Sequence, residues 1–144
     1  MSLIVENLKH VYTSPGLTER SVLDIRNWRV EAGEQVLLRG VSGSGKTTLM
    51  NILAGLLRPT QGEVLVDNYR LFAHSEAKRD RFRAGRIGYV FQMHHLIANL
   101  SAQENVEMPL IFAGNGDYIQ RRRLARALLT RLGWRSLPIT GLCS

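Results

Sequence analysis

Residues 40–48 have the residue types and the spacing of a phosphate-binding loop, reading Gly-Val-Ser-Gly-Ser-Gly-Lys-Thr-Thr. Glycines allow backbone N–H groups to curl around phosphates. The lysine ammonium reaches the β- and γ-phosphates, and the next hydroxyl ligates Mg²⁺. The candidate phosphate-binding residues are Gly40, Ser42, Gly43, Ser44, Gly45, Lys46, Thr47 and Thr48. We predict a nucleoside triphosphate site, with Lys46 as a catalytic residue and Thr47 as a metal ligand.

The alternative explanation is a glycine-rich β–α turn with a coincidental lysine. A glycine pair, a lysine and a Ser/Thr at fixed spacing arise by chance on the order of once in a few hundred chains of this length. The flanking sequence reduces that chance further. Residues 35–39 are a short apolar run that predicts a strand, and residues 46–57 predict a helix with an apolar face formed by Leu49, Ile52, Leu53 and Leu56. The start of that helix adds partial positive charge for phosphates.

The remaining elements are predicted from apolar periodicity and turn residues. We expect strands over residues 2–12, 22–30, 63–67 and 86–91, and a helical or irregular segment over 71–83. Ser101 and Glu104 form a capping-box pattern at the start of another helix. A last helix starts near Asp117 with a buried stripe of Leu124, Leu128 and Leu132, and Gly133 follows it as a C-cap.

The formal net charge of +7 is concentrated in the second half of the sequence. Up to residue 77, eight basic residues balance eight acidic ones, whereas eleven face four from residue 78 onward. Such a basic surface suits nucleic acid or an anionic membrane, but the solvent-facing side of the last helix is the stronger explanation for its arginines. One cysteine excludes an internal disulfide, and neither a membrane span nor a signal pattern is present, which favours a cytoplasmic protein.

Several motifs in order resemble the ATP-binding subunit of ABC transporters over residues 1–134. Residues 22–34 resemble the family's approach to the phosphate loop, residues 58–64 the turn into its antiparallel β-subdomain, and residues 87–92 the strand ending in its Q-loop glutamine. Residues 104–110 resemble the lipoprotein-release and macrolide-export branch. The resemblance implies an α/β fold: a P-loop NTPase core with an antiparallel β-subdomain, incomplete at the C-terminus.

The resemblance also implies roles outside the loop. Tyr12 falls where the family stacks adenine, although it would also suit an ordinary strand aromatic. Gln92 falls where a glutamine meets Mg²⁺ and the attacking water, which makes it a catalytic and metal-binding candidate. The implied cofactors are ATP and Mg²⁺. The implied partners are a membrane permease, contacted through residues 92–100, and a second ATP-binding subunit, at the cytoplasmic side of the membrane.

Other motifs do not support a metal site or hydrolysis. Adjacent His94 and His95 lack the spacing of helical zinc ligands. Residues 64–67 mimic a Walker B strand, but no glutamate follows Asp67. The family's signature motif, Asp-Glu strand end and switch histidine are missing from the 144 residues. Residues 135–144 no longer resemble the family, as after a frameshift or gene interruption, so we expect a non-matching tail.

Two functional classes follow from these patterns. The preferred hypothesis is a truncated ATP-binding subunit of an ABC transporter, whose isolated chain binds Mg-ATP and hydrolyses it negligibly. The alternative is a non-hydrolysing nucleotide-binding module or a basic nucleic-acid-associated P-loop protein. A nucleic-acid partner ranks below the permease.

Overall fold

A computed structural model describes residues 1–13, 19–93, 95–114 and 116–134. The chain divides into two compact units between Arg83 and Ala84. The predicted tail at residues 135–144 and His94 lie outside the described residues. None of the helices in the described ranges is long and apolar enough to cross a membrane.

The first unit is built on an antiparallel sheet of strands β1 (Leu3–Tyr12), β2 (Arg20–Val30), β3 (Gln61–Val66) and β4 (Tyr69–Arg70). Their order is β2-β1-β3-β4, and β1 pairs with both β2 and β3. The predicted strands over 2–12, 22–30 and 63–67 are therefore confirmed. Asp67 lies in the turn after β3, where its carboxylate accepts a hydrogen bond from the Ser2 backbone N–H at 2.7 Å.

One face of this sheet packs against helix α1 (Lys46–Leu53). Alternation along the strands places β-branched and aliphatic side chains on that face. The helix contributes its own apolar stripe, so sheet and helix exclude water together. The buried core consists of Val5, Leu8, Leu23, Leu49, Ile52, Val64, Val66, Leu71 and Phe72.

Helix α1 is shorter than predicted because Gly55 ends it. Gly55 adopts a φ of 71°, its N–H donates to the Ile52 carbonyl at 2.9 Å, and the Leu56 N–H donates to the Asn51 carbonyl at 2.8 Å. This pair of bonds is a Schellman C-cap. Leu56 consequently lies beyond the helix and is exposed, so its assignment to the buried face was wrong.

The predicted strand over residues 35–39 does not form. These residues have no strand assignment, and the Leu37 side chain is 72% exposed. A β-strand is stable only when neighbouring strands accept and donate its backbone hydrogen bonds. Within the described residues, no strand lies beside this segment. The same reason applies to residues 86–91, where the predicted strand is also absent and Val90 is 96% exposed.

Residues 71–83 were predicted to be helical or irregular. The structure forms a short 3₁₀ turn (Leu71–Ala73) there, followed by helix α2 (Glu76–Arg86). Arg79 of α2 is buried, although its basic neighbours predict a solvent-facing cluster. Its Nε–H donates to the Gly55 carbonyl at 3.0 Å, and its guanidinium lies 5.6 Å from the Phe72 ring centroid. The arginine thereby satisfies a carbonyl at the end of α1 that the helix itself leaves unpaired.

The second unit contains helices α3 (Ala102–Phe112) and α4 (Tyr118–Arg131). The predicted capping box of α3 is confirmed: the Ser101 hydroxyl accepts from the Glu104 N–H, and the Glu104 carboxylate accepts from the Ser101 N–H. The side-chain and backbone hydrogen bonds from Ser101, with a smaller attraction from Arg122, lower the pKa of Glu104. A second capping box, between Asp117 and Gln120, starts α4.

The buried leucine stripe predicted for α4 is wrong. Leu124, Leu128 and Leu132 are all exposed, and Ala125 is the buried residue of the helix. Polar side chains connect α4 to α3 instead, since the Arg126 Nε–H donates to the Gln103 side-chain oxygen at 3.1 Å. The predicted end of the helix is confirmed, because Gly133 has a φ of 82° and the next N–H donates to the Leu129 carbonyl at 3.0 Å.

Candidate functional site

The loop over residues 40–48 joins an exposed segment to the start of α1. Gly43 and Gly45 have φ values of 76° and 88°, a region that glycine enters without steric cost. A Cβ on Gly45 would lie 2.8 Å from the Val22 Cγ1 and 3.0 Å from the Val22 carbonyl oxygen. Gly45 is therefore required both for its backbone conformation and for the close approach of α1 to β2.

Lys46 folds back across the loop. Its ammonium donates to the Gly40 and Val41 carbonyls at 2.7 Å each, and lies 3.4 Å from the Ser44 hydroxyl. These contacts hold the charged group against the backbone of the loop. A lysine held there can neutralise an anion that binds the loop.

The first turn of α1 is free of competing charge. No side chain caps it, and no acidic residue lies in the turn. The first N–H groups of a helix have no partners within the helix, and the helix dipole makes this end partially positive. Thr47 is exposed and Thr48 is half-buried, so the Thr47 hydroxyl faces solvent at the helix start.

Tyr12 at the end of β1 is brought next to the loop. Its hydroxyl lies 3.3 Å from the Thr48 hydroxyl, although the two residues are 36 positions apart in sequence. Tyr12 as a residue is 48% exposed, which leaves area for a planar ligand to stack on. The structure thus places Tyr12 and residues 40–48 together in the first unit.

Gln92 belongs to the second unit, where it is exposed in an irregular segment. It is followed by exposed apolar side chains, including Met93, Leu96 and Ile97. His95 is exposed as well, and its ring contacts the Phe91 ring edge-on at a centroid distance of 4.7 Å. Among the described residues, no cluster of three or more His, Cys, Asp or Glu side chains is arranged to hold a metal ion.

One residue beside Tyr12 is missed by the sequence patterns. His10 on β1 is buried, and its ring packs edge-to-face on Tyr12 with centroids 4.7 Å apart. Neither of its ring nitrogens has a hydrogen-bond partner within the described part of the chain. The apolar alternation of β1 gives a weak signal for it, because His10 shares parity with Leu8 and Tyr12.

Comparison with known proteins matches the ABC transporter family to residues 23–142. The match covers most of the sequence, so the chain belongs to the ABC transporter family. The match also extends into residues 135–142, which the sequence analysis assigned to a non-matching tail. The domain boundary after residue 134 stays a prediction.

Individual relatives agree with the family. The chain is 44% identical over 128 residues to the lipoprotein-releasing system ATP-binding protein LolD of Chromohalobacter salexigens, covering 89% of this chain. It is 40% identical over 133 residues to the macrolide export ATP-binding/permease protein MacB of Bartonella henselae, covering 92% of this chain. The predicted resemblance to the lipoprotein-release and macrolide-export branch is confirmed.

A solved structure supports the fold. The ATP-binding cassette MJ0796, in a dimeric post-hydrolysis state bound to ADP and Pi, superposes with a TM-score of 0.82 at 35% identity over 93% of this chain. The predicted fold class, a P-loop NTPase core with an antiparallel β-subdomain, is confirmed. The chain spans 53% of the length of that LolD protein, 20% of that MacB protein and 58% of the MJ0796 chain.

Proposed function

We propose that the chain is the ATP-binding portion of an ABC transporter subunit and holds the nucleotide's phosphates in the loop over residues 40–48. The observation that carries this proposal is the position of the Lys46 ammonium, which two loop carbonyls hold at 2.7 Å over the glycine turn. The uncapped start of α1, which directly follows the glycine turn, supplies a second positive element. The LolD and MacB relatives, which are ATP-binding proteins by name, agree with this assignment.

Each site residue has a proposed role. Lys46 neutralises the β- and γ-phosphates, while the N–H groups of residues 42–46 donate to phosphate oxygens. The Tyr12 ring stacks on the nucleobase. We propose Thr47 as a Mg²⁺ ligand, because this ion takes few protein oxygens together with phosphates and water. Gln92 lies in the second unit and is proposed as a Mg²⁺ ligand from its residue type and the family resemblance alone. When bound, the ion would neutralise charge on the phosphates.

The proposed partners are a membrane permease and a second ATP-binding subunit. Residues 92–100 are the proposed permease contact, since Met93, Leu96 and Ile97 are exposed large apolar side chains in a short stretch. Binding to a permease would place the chain at the cytoplasmic side of the membrane. Nucleic acid is not proposed as a partner, because Arg126 is engaged by Gln103 and Arg79 is buried.

Hydrolysis is proposed to require groups that the 144 residues do not supply. Phosphoryl transfer depends on positioning and on charge neutralisation around the γ-phosphate from several sides. Residues 40–48 provide one of these sides, whereas no Asp-Glu strand end that would organise the ion and activate water occurs in the sequence. We therefore propose that the chain by itself binds ATP without appreciable turnover.

The test is equilibrium binding of a fluorescent ATP analogue with Mg²⁺ to the full chain and to two lysine variants. Lys46→Ala is expected to weaken binding about 10- to 150-fold, the range for losing hydrogen bonds from a charged donor. Lys78→Ala is the matched control, because it removes the same charge from an exposed position on α2. It is expected to leave the affinity unchanged.

Equal weakening by both variants would mean that nucleotide binds through general positive charge, and the proposed site would be wrong. Tight binding that survives in Lys46→Ala would contradict the role of the loop. Turnover by the wild-type chain that disappears in Lys46→Ala would leave the site intact but overturn the proposal that the chain does not hydrolyse ATP.

A further inference from the structure

We propose that His10 is a positioning residue, whose buried ring fixes the orientation of Tyr12 for stacking on the nucleobase. This inference rests on the proposed nucleotide site and adds to it a residue that does not touch the phosphates. Only 7% of His10 is exposed, and both ring nitrogens are enclosed without a hydrogen-bond partner among the described residues. Buried polar atoms are almost always paired, so an unpaired imidazole needs an explanation.

The contact that the imidazole does make is with the Tyr12 ring. The imidazole and phenol planes stand at 86°, with ring centroids 4.7 Å apart. This edge-to-face arrangement is the favourable one for aromatic pairs, because the positive edge of one ring meets the negative face of the other. His10 therefore restricts rotation of the Tyr12 ring from inside the sheet.

A second contact restrains the same ring from the other side. The Tyr12 hydroxyl lies 3.3 Å from the Thr48 hydroxyl, in the first turn of α1. With one contact at the hydroxyl and another at the ring, both χ angles of Tyr12 are restricted. A stacking surface that is already oriented loses less conformational freedom when a planar ligand binds.

The strand pairing explains why His10 is in a position to do this. The register of β1 on β2 shifts between His10 and Val11: His10 pairs with Leu23, whereas Val11 pairs with Ser21. Val22 is the extra residue of this irregularity, and it is the residue on which Gly45 packs. Irregular pairing of this kind re-aims side chains and is common beside functional sites.

The experiment compares two apolar replacements that both remove the unpaired nitrogens. His10→Phe keeps an aromatic ring, whereas His10→Leu fills a similar volume without one. Each variant is titrated with Mg-ATP and with inorganic tripolyphosphate, which lacks a base. The stabilisation from an edge-to-face pair corresponds to about a 2- to 12-fold change in an equilibrium constant. We therefore expect His10→Leu to weaken ATP binding by a factor within that range. Tripolyphosphate binding should stay unchanged, and His10→Phe should bind ATP like the wild type.

Other outcomes overturn the inference in distinguishable ways. If His10→Leu weakens ATP and tripolyphosphate equally, or if neither replacement changes ATP binding, His10 does not act through the base. Equal losses in His10→Phe and His10→Leu would assign the effect to the ring nitrogens. A wild-type chain that binds neither ligand refutes the proposed nucleotide site itself, and this inference with it.

The folding of each variant is checked by far-UV circular dichroism. If His10→Leu does not fold, His10→Met takes its place, because methionine is non-aromatic and adapts to irregular space. If neither non-aromatic variant folds, His10 is a core residue required for folding, and the positioning role is refuted.

Discussion

Replacing Gly45 by alanine should damage the loop more than the same change at Gly43, although both glycines have positive φ. At Gly43 (φ 76°) an added Cβ would meet no atom within 4 Å, so the cost is the left-handed backbone alone. That cost is about 1–2 kcal/mol for a residue with a side chain. At Gly45 (φ 88°) the Cβ would also lie 2.8 Å from the Val22 Cγ1 and 3.0 Å from the Val22 carbonyl oxygen.

The additional contact at Gly45 cannot be relieved cheaply. Val22 is β-branched and stiff at χ1, and its carbonyl belongs to strand β2. Overpacking of this kind costs about 1–3 kcal/mol, so Gly45→Ala should lower the free energy of unfolding by about 2–5 kcal/mol. If the loop moves away from β2 to relieve the contact with Val22, the loss of stability will be smaller. The displaced loop should then bind ATP more weakly.

The assay is urea denaturation of the full chain followed by far-UV circular dichroism, combined with ATP titration. Gly85→Ala is the internal control: it lies in α2, its φ is not positive, and its Cβ would meet nothing within 4 Å. Alanine there should be neutral or stabilise by up to about 1 kcal/mol. If Gly45→Ala and Gly43→Ala had the same effect on stability and on ATP affinity, the proposed approach of α1 to Val22 would be refuted.

Further predictions concern other parts of the chain. Arg79→Met should lower the free energy of unfolding in urea by about 0.5–1.5 kcal/mol, because the Gly55 carbonyl loses one of its two side-chain donors and keeps only Arg83 at 3.3 Å; an unchanged midpoint would contradict the pairing. Val90→Lys should change the free energy of unfolding by no more than about 0.5 kcal/mol, because Val90 is exposed. It should also reduce aggregation measured by light scattering, and a clear loss of stability would mean that Val90 is buried. The folded state lowers the pKa of Glu104, so its contribution to stability is present above the unfolded value near 4.5 and is lost as pH falls through the lower folded value. The stability lost between neutral and strongly acidic pH should therefore be smaller in Glu104→Gln, which keeps a capping side chain; equal losses in both proteins would contradict this.

Local signals in the sequence predict the local structure well. The order of glycines, lysine and threonine in residues 40–48 is enough to place the helix start at Lys46, because the motif itself encodes the turn. Ser101 and Glu104 likewise predict their capping box, since both groups lie within one helical turn. The equivalent pair Asp117 and Gln120 carries the same signal in its sequence.

Features that depend on distant neighbours are not predictable in this way. Residues 35–39 have strand-like composition, but pairing decides whether a strand forms, and pairing is not a property of the segment. The leucines of α4 have helical spacing, yet the helix meets α3 through Ala125 and Arg126. His10 has only a weak local signal, its shared parity with Tyr12, and its burial is known only from the folded structure.

The roles of individual site residues also depend on contacts between residues that are distant in sequence. Tyr12 and Thr48 are brought together by the folded sheet and helix, over a separation of 36 positions that no local pattern spans. The roles of Gln92 and of residues 92–100 stay predictions. A binding experiment on the Gln92→Ala variant, with and without Mg²⁺, addresses the metal-binding part of that role.

The measurement that tests the central claim most directly is a two-dimensional NMR titration of the ¹⁵N-labelled chain with Mg-ATP. We predict that the largest amide shift changes occur at Gly43, Gly45 and Lys46, because their N–H groups would donate to phosphate oxygens, and that Lys46→Ala abolishes these changes at the same ATP concentration. Changes centred instead on the arginines of α4, with residues 40–48 unaffected, would contradict the assignment of residues 40–48 as the phosphate site.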